Sequence, residues 1–348
     1  MRRAFAALAI TMFAALNTDL AGESRRTLDI YFLDMMGGGS TLIVTPLGES
    51  VLIDTGSLEP KHRDAERMHR ACQQARLERI DYLITTHFDS DHYGGILELS
   101  RRIPIKRFID KGPPPRHQQD NKTFRTLYPL YQQATKGNVT ALHAGDDVPL
   151  KNDPAGRIPP IRLHCVASGK EIEGFGGDID APVKGFNIRR PDESENARSI
   201  ALILTYGKFK FFAGGDITWN VEYHLAHPVN CIGKVDLYQV THHGLDQSNN
   251  PTLLEALSPT VCVAMNGPKK GIQPNTFRAL NALPGVKAIY QIHYNILYGD
   301  AGNTPDEFIA NKTNPEGGEL IKASVDAKQG TFTVCIGVDG PKREFTIP

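Results

Sequence analysis

Apolar and polar positions along the chain follow a recurring order. A short run of branched or aromatic residues comes first, then a glycine or aspartate break, and in several places a segment with helical spacing. Leu28-Asp29-Ile30-Tyr31-Phe32-Leu33-Asp34 alternates and reads as a strand, broken by Gly37-Gly38-Gly39. Thr41 to Thr45 and Ser50 to Ile53 read as a hairpin turning near Pro46-Leu47-Gly48. From Arg63 to Arg79, Met68, Ala71, Cys72 and Ala75 share one stripe. That spacing predicts a helix with His62 and His69 off its buried face. Ile80 to Thr85 predicts a short buried strand, followed by a helix from about Gly95 to Ser100.

The middle of the chain is less regular. Pro113-Pro114-Pro115 marks a loop, Asp120 to Gly137 contains a helix, and Ile161 to Ala167 is a strand. Ser168 to Asn196 is rich in glycine, proline and charge, a long loop or an inserted flap. Strands follow at Ile200 to Tyr206, Phe209 to Ala213 and Val235 to Thr241, then a helix near Pro251 to Leu257. Thr260 to Met265 and Val286 to His293 are strands flanking a helix at Asn275 to Leu283. Strands alternating with helices predict a layered α/β fold with function at strand ends.

Composition adds an address more than a partner. Lysine plus arginine equals aspartate plus glutamate at 39 each, so net charge gives no argument for a polyanion, which would need a local basic patch. Arg2 and Arg3 precede the apolar stretch Ala4 to Leu16, too short to span a bilayer comfortably. Residues 1–23 therefore read as an export signal cleaved after Ala21, leading to a periplasm or beyond; a hydrophobic helix or retained anchor is the plainer alternative. The five cysteines share no close spacing, and buried apolar thiols are the default over disulfides. Residues 24–348 are read as one domain, with an insertion around 100–195 and a C-terminal extension from about 287. No stable protein partner is evident, and no membrane contact beyond the N-terminal signal.

The chemistry concentrates after three apolar strands. His87, Asp89, Asp91 and His92 lie within six residues of one strand's end. Gly214-Gly215-Asp216 follows a second, supplying a carboxylate able to bridge two ions, and Thr241-His242-His243-Gly244 follows a third. Any one cluster alone would read as surface or core histidines. Three in this order point to metal, since imidazole nitrogen and carboxylate oxygen suit zinc and harder first-row ions. The glycine run at 37–39 is not a dinucleotide loop, because it lacks the G-x-G-x-x-G spacing and leads into a strand.

His87-x-Asp89-x-Asp91-His92 resembles the H-x-H-x-D-H signature of the metallo-β-lactamase superfamily with its second histidine replaced by Asp89. With Tyr93-Gly94-Gly95 it is similar to the hydrolase domain of ComEC-type DNA-uptake proteins. Phe32 to Gly39, Val51 to Gly56, Asn196-Ala197-Arg198-Ser199-Ile200, Phe211 to Asp216 and His242-His243-Gly244 fall in that family's order, from about Leu28 to Leu283. The resemblance implies a four-layer αβ/βα sandwich with metals at one edge. It implies one or two divalent ions, zinc or manganese, held by His87, Asp89, Asp91, His92, Asp216 and His243. Asp54 would order the metal loop from behind, and Asn196 stands where other members place a third histidine. Three departures follow from the same alignment of motifs: Met36 to Ser40 lacks an acidic group, Leu245 stands where serine is usual, and Gln273-Pro274 replaces a late histidine. His293 is a spare candidate for that place.

The implied activity is exported, metal-dependent hydrolysis. Metal would lower the pKa of bound water towards neutrality and polarise a substrate oxygen. Asp91, His242 and His243 are the catalytic candidates, and either histidine could serve the leaving group or an oxyanion. The ComEC-like variant implies a phosphodiester substrate, oligonucleotide or small molecule. Arg101-Arg102 and Lys106-Arg107 could track its backbone or form an ordinary solvated helix end. The rivals are lactone, thioester or amide hydrolysis on the same fold, and a binding protein with a degenerate metal site.

Overall fold

A computed structural model describes residues 27–59, 61–313 and 316–348. The export-signal reading falls on residues 1–23 and lies outside them. Two large sheets face each other. The first carries nine strands, with Leu28–Phe32, Thr41–Val44, Ser50–Ile53, Tyr82–Ile84 and Phe108–Asp110 as consecutive neighbours. In the second, Ala201–Tyr206, Phe209–Ala213, Leu237–Gln239, Val261–Ala264 and Ala288–His293 lie side by side.

Three apolar layers make this a four-layer α/β/β/α molecule. Between the sheets, Leu28, Ile30, Phe32, Val51 and Ile53 meet Leu202, Leu204, Phe211, Leu237 and Val261. Phe32 and Phe211 touch edge to face across the gap at 5.8 Å. Outside the first sheet, Tyr31, Leu42, Leu52 and Leu83 pack on Met68, Ala71, Cys72, Leu99 and Leu127. Outside the second, Ile203, Phe212, Tyr238 and Cys262 pack on Val221, Leu225, Leu253, Leu257 and Leu280. Because both faces of each sheet are covered, the central strands are continuous apolar runs rather than alternating ones. Each large apolar side chain so buried contributes about 1.5–3 kcal/mol. The four-layer architecture expected from the sequence holds.

Strand polarity places the chemistry. Ser50–Ile53, Tyr82–Ile84 and Phe108–Asp110 run parallel, so Asp54, His87 and Lys111 leave one edge of the first sheet. Phe209–Ala213, Leu237–Gln239 and Val261–Ala264 are likewise parallel and release Asp216, His243 and Lys270. Ala201–Tyr206 runs antiparallel to its neighbour, which brings the preceding segment Asn196 to Ser199 to its end.

Several expectations need correction. The helix expected over 63–79 spans Arg63–Gln74, because Arg76 takes a left-handed backbone (φ 56°) and Leu77 N–H turns back to Cys72 O at 2.9 Å. Residues 168–196 hold one two-residue strand, Glu171–Ile172. The rest lies over the helix Trp219–Ala226, with Phe186 stacked on Tyr223 at 3.7 Å and Phe175 on His224 at 4.2 Å. Residues from 287 on enter both sheets. Ala288–His293 and Ile309–Asn311 join the second, while Ile321–Asp326, Thr331–Ile336 and Arg343–Thr346 extend the first from Leu28–Phe32. All five cysteines are free thiols, and four of them are buried. Among the described residues, no helix is long and apolar enough to cross a membrane.

Candidate metal centre

Asp54 organises the site. It sits at the end of Ser50–Ile53 with a left-handed backbone (φ 62°), and its carboxylate turns towards the neighbouring strand's exit. Oδ1 accepts Thr86 N–H at 2.7 Å, and Oδ2 accepts Thr86 Oγ1 and faces His92 Nδ1, each at 2.7 Å. Because Thr86 Oγ1 donates to Asp54, it accepts from His87 Nδ1 at 3.0 Å. One carboxylate thus fixes two imidazoles, His92 directly and His87 through Thr86. Both present Nε2 forward, the arrangement by which outer hydrogen bonds set a ligand's tautomer.

The glycine turn, which lacks an acidic group, lies against the metal loop. Gly39 N–H donates to Asp91 O at 3.0 Å. A Cβ on Gly39 would lie 2.7 Å from His92 Nδ1 and 3.1 Å from Asp54 Oδ2. The turn packs directly on the metal loop, and a side chain there would push the imidazole out of place.

The second sheet supplies the opposite wall. His242 and His243 both take left-handed backbones (φ 51° and 54°), a strained pair that points the two rings inwards. His243 Nδ1 donates to Met265 O at 3.1 Å, leaving Nε2 as its ligand atom. His242 Nδ1 faces Ser248 Oγ at 3.1 Å, whose hydrogen goes to Ile217 O, so His242 also presents Nε2. Position 245 is leucine, and the hydroxyl that faces this ring is that of Ser248. Behind the pair, buried Glu222 accepts from Thr241 Oγ1 and from Asn250 N–H at 2.7 Å, and burial pushes its carboxyl up to about 7.

These walls bring together Asp91, His92, Asp216 and His243. Asp216 Oδ2 lies 3.2 Å from both His92 Nε2 and His243 Nε2, and Asp91 Oδ2 lies 3.7 and 3.5 Å from the same two atoms. His242 Nε2 stands farther from Asp216, at 3.6 Å. His87, His92 and Asp216 make a second grouping whose donor atoms lie within 4.8 Å of one another. Asp89 is the outlier. Its side chain is 37% exposed, and Oδ2 is 3.8 Å from His87 Nε2. Burial of part of the group pushes its carboxyl up to about 6. Asn196 opens the 3₁₀ turn Asn196–Arg198, with its Oδ1 buried and unpartnered. The turn is tied to the metal loop by Glu195 Oε2, which accepts Phe88 N–H at 3.1 Å and pairs with buried Lys111 at 3.1 Å.

The electrostatics ask for a cation. Burial disfavours charge on every group here, yet the three imidazoles His243, His92 and His242 hold Asp216 well below the usual carboxylate range, and chiefly His92 does the same for Asp91. Burial alone would depress His92, but Asp216, Asp54 and Asp91 together hold it protonated. His87 is kept neutral by burial and by the neighbouring His92 charge, and its Nε2 has no hydrogen-bond partner. A neutral imidazole with a buried, unpaired lone pair beside two ionised carboxylates fits a divalent cation.

Two spare candidates do not come to the centre. His293 is fully buried against Asp34, Nε2 to Oδ1 2.7 Å, and Asp34 also pairs with Arg67 at 2.9 Å. Gln273 caps the helix Pro274–Ala282 and its Oε1 accepts Asp246 N–H at 2.6 Å. The basic tract is also elsewhere. Lys106 and Arg107 precede the strand Phe108–Asp110 and lie at the sheet end opposite His87, while Arg101 and Arg102 pair with Glu98. One residue at the centre was not anticipated at all: Lys270 Nζ lies 2.5 Å from Asp91 Oδ2.

Comparison with known proteins agrees with the coarse reading. The metallo-beta-lactamase superfamily model matches residues 36–174, the segment holding the first metal loop. Recombination protein 2 of Haemophilus influenzae is 24% identical over 248 residues, covering 70% of this chain and 25% of that protein. The chain therefore spans about a quarter of that relative's length. Among solved structures, the E377D mutant of the CmlA beta-hydroxylase has a TM-score of 0.46 at 15% identity, covering 77% of this chain and 52% of that one. MEM-A1, a subclass B3 metallo-beta-lactamase from a soil metagenome library, has a TM-score of 0.37 at 14% identity, over 74% and 83%. The metallo-β-lactamase resemblance read from the motifs is borne out, and it supports a metal-dependent hydrolase.

Proposed function

We propose that this chain is an exported metal-dependent phosphodiesterase acting on an oligonucleotide or a small phosphodiester. The observation that carries the reading is the convergence of Asp91, His92, Asp216 and His243 at one sheet edge, beside the unpartnered Nε2 of His87. Three carboxylates, counting Asp89, make the donor set hard, which favours manganese or zinc and phosphoryl oxygens over softer partners. The recombination protein among the relatives supports a nucleic-acid substrate, and the apolar stretch Ala4 to Leu16 supports export.

His87, His92, Asp91, Asp216 and His243 would hold one or two divalent ions, with Asp89 as the exposed member. Such an ion supplies Lewis acidity, activating water and polarising a phosphoryl oxygen. The protein's own part is positional. Asp54 fixes Nδ1 of both metal-loop imidazoles, His92 directly and His87 through Thr86, so that each turns Nε2 towards the cluster. Burial lowers His242, and its Nδ1 faces Ser248 Oγ, so its Nε2 is the atom turned to the cluster. That atom would serve the proton transfers of hydrolysis, at the attacking water or the leaving group.

Purified protein loaded with manganese or zinc should cleave single-stranded DNA or bis(p-nitrophenyl) phosphate, and a chelator should abolish the activity. Turnover of lactone, thioester or amide substrates with none of phosphodiesters would replace this reading with carbonyl chemistry. Fewer than one bound ion per chain after reconstitution would leave a binding protein.

A further inference from the structure

We propose that Lys270 is a substrate-binding residue, its ammonium receiving a non-bridging oxygen of the anionic group presented to the metal centre. This rests on the phosphodiester reading for its substrate, though not for its charge. Lys270 lies on the loop between the strand Val261–Ala264 and the helix Pro274–Ala282. Its Nζ reaches Asp91 Oδ2, and the two side chains are 37% and 25% exposed, so the pair stands at the mouth of the site. Among the described residues, it is the lysine or arginine that pairs with a candidate metal ligand.

A structural role does not account for it. The loop is already fastened on both sides without the side chain. Ile272 N–H and Gln273 N–H donate to His243 O and Gly244 O at 2.9 Å. Asn295 Nδ2 donates to Gly271 O at 2.8 Å, and Ile296 N–H to Pro268 O at 2.9 Å. Gly271 is left-handed (φ 85°), and a Cβ there would lie 2.1 Å from His243 O, so the loop lies flat on the histidine turn. Asp91 is held independently through its own carbonyl, which accepts Gly39 N–H. An ion pair this exposed adds little to stability.

What remains is a compact, mobile point charge delivered by a rigid loop to the rim of a carboxylate-rich cluster. A cation occupying the cluster draws on the Asp91 carboxylate and leaves the Lys270 ammonium short of its partner, facing the cleft. Lysine binds phosphate in that way, as a point charge rather than a fork. Its neighbour Lys269 is exposed.

The test uses the full metal-loaded chain and isothermal titration with inorganic phosphate, with metal content measured on each variant. Lys270→Met should weaken phosphate binding by about 10–100-fold at unchanged metal content, Lys270→Arg should recover part of it, and Lys269→Ala should match wild type. Wild-type affinity in Lys270→Met would overturn the proposal, as would absence of phosphate binding by wild type. A gain of one ion in Lys270→Met would also overturn it, making the ammonium a stand-in for metal. If wild type binds phosphate through Lys270 but cleaves no phosphodiester, the proposed reaction fails and the anion site stands.

Discussion

The two halves of the metal centre are built differently. In one, Asp91, His92, Asp216 and His243 come from three loops on two sheets, and their donor atoms lie 3.2–3.7 Å apart. In the other, His87 faces a partly exposed Asp89 at 3.8 Å, and His87 Nε2 has no hydrogen-bond partner. Asp216 belongs to both groupings, because it also lies with His87 and His92. The closed half has donors in excess and the open half lacks one. The difference teaches that two ions, if both bind, do so unequally, with the tighter one between Asp91, His92 and His243.

The largest break in that asymmetry is Asp216→Asn, which removes the shared carboxylate. Losing several kcal/mol of Lewis-acid stabilisation, at about 1.36 kcal/mol per tenfold, lowers turnover by about 10³-fold. Metal analysis of the same protein should show both positions depleted. His87→Ala, in contrast, should release only the weaker ion. Equal depletion by the two changes would mean that the halves are a single site.

The closed half was legible because its ligands sit in short motifs at the ends of apolar runs, and strand polarity then carries them to one edge. What could not be read was everything set by distant contact. Lys270 is one of two adjacent lysines with no marking pattern, and its partner Asp91 lies on the other sheet's loop. His293 resembled a ligand at a strand end until Asp34, from the far end of the chain, took its Nε2. Ile321–Asp326 has the alternating burial of a half-covered strand, but nothing local says that it pairs with Leu28–Phe32. The helix from Arg63 stops early at a left-handed arginine where no glycine warns of it. The basic tract illustrates the converse: adjacent charges in sequence, opposite end of the sheet from the chemistry.

A smaller break goes through the residue that serves both halves from behind. Asp54→Asn keeps the shape but puts an amide nitrogen in place of one carboxylate oxygen, so either the Thr86 N–H contact at Oδ1 or the contacts of Thr86 Oγ1 and His92 Nδ1 at Oδ2 are disturbed. Disturbing such an outer partner costs about 10–100-fold in metal affinity. Competition with a chromophoric chelator would measure it, and both ions should weaken, since His87 depends on Asp54 through Thr86. Selective loss at one position would show that the Thr86 relay does not transmit.

The smallest effect expected sharpens the asymmetry instead of breaking it. Asn196 has an unpartnered buried oxygen on the turn that is tied to the metal loop, in the position where the resemblance places a third histidine. An amide oxygen is a weak ligand for zinc and an imidazole a strong one. Asn196→His therefore supplies the donor that the open half lacks, provided that the turn is held from outside the side chain. It is, by Ile200 N–H on Thr86 O at 3.0 Å and by the Glu195–Phe88 and Glu195–Lys111 contacts. The weaker ion should then bind about tenfold more tightly while the tighter one is unchanged, narrowing the gap between two steps of a zinc titration. If the steps stay as far apart, the open half is limited by the exposed Asp89 and not by Asn196, and Asp89→His becomes the change that closes it.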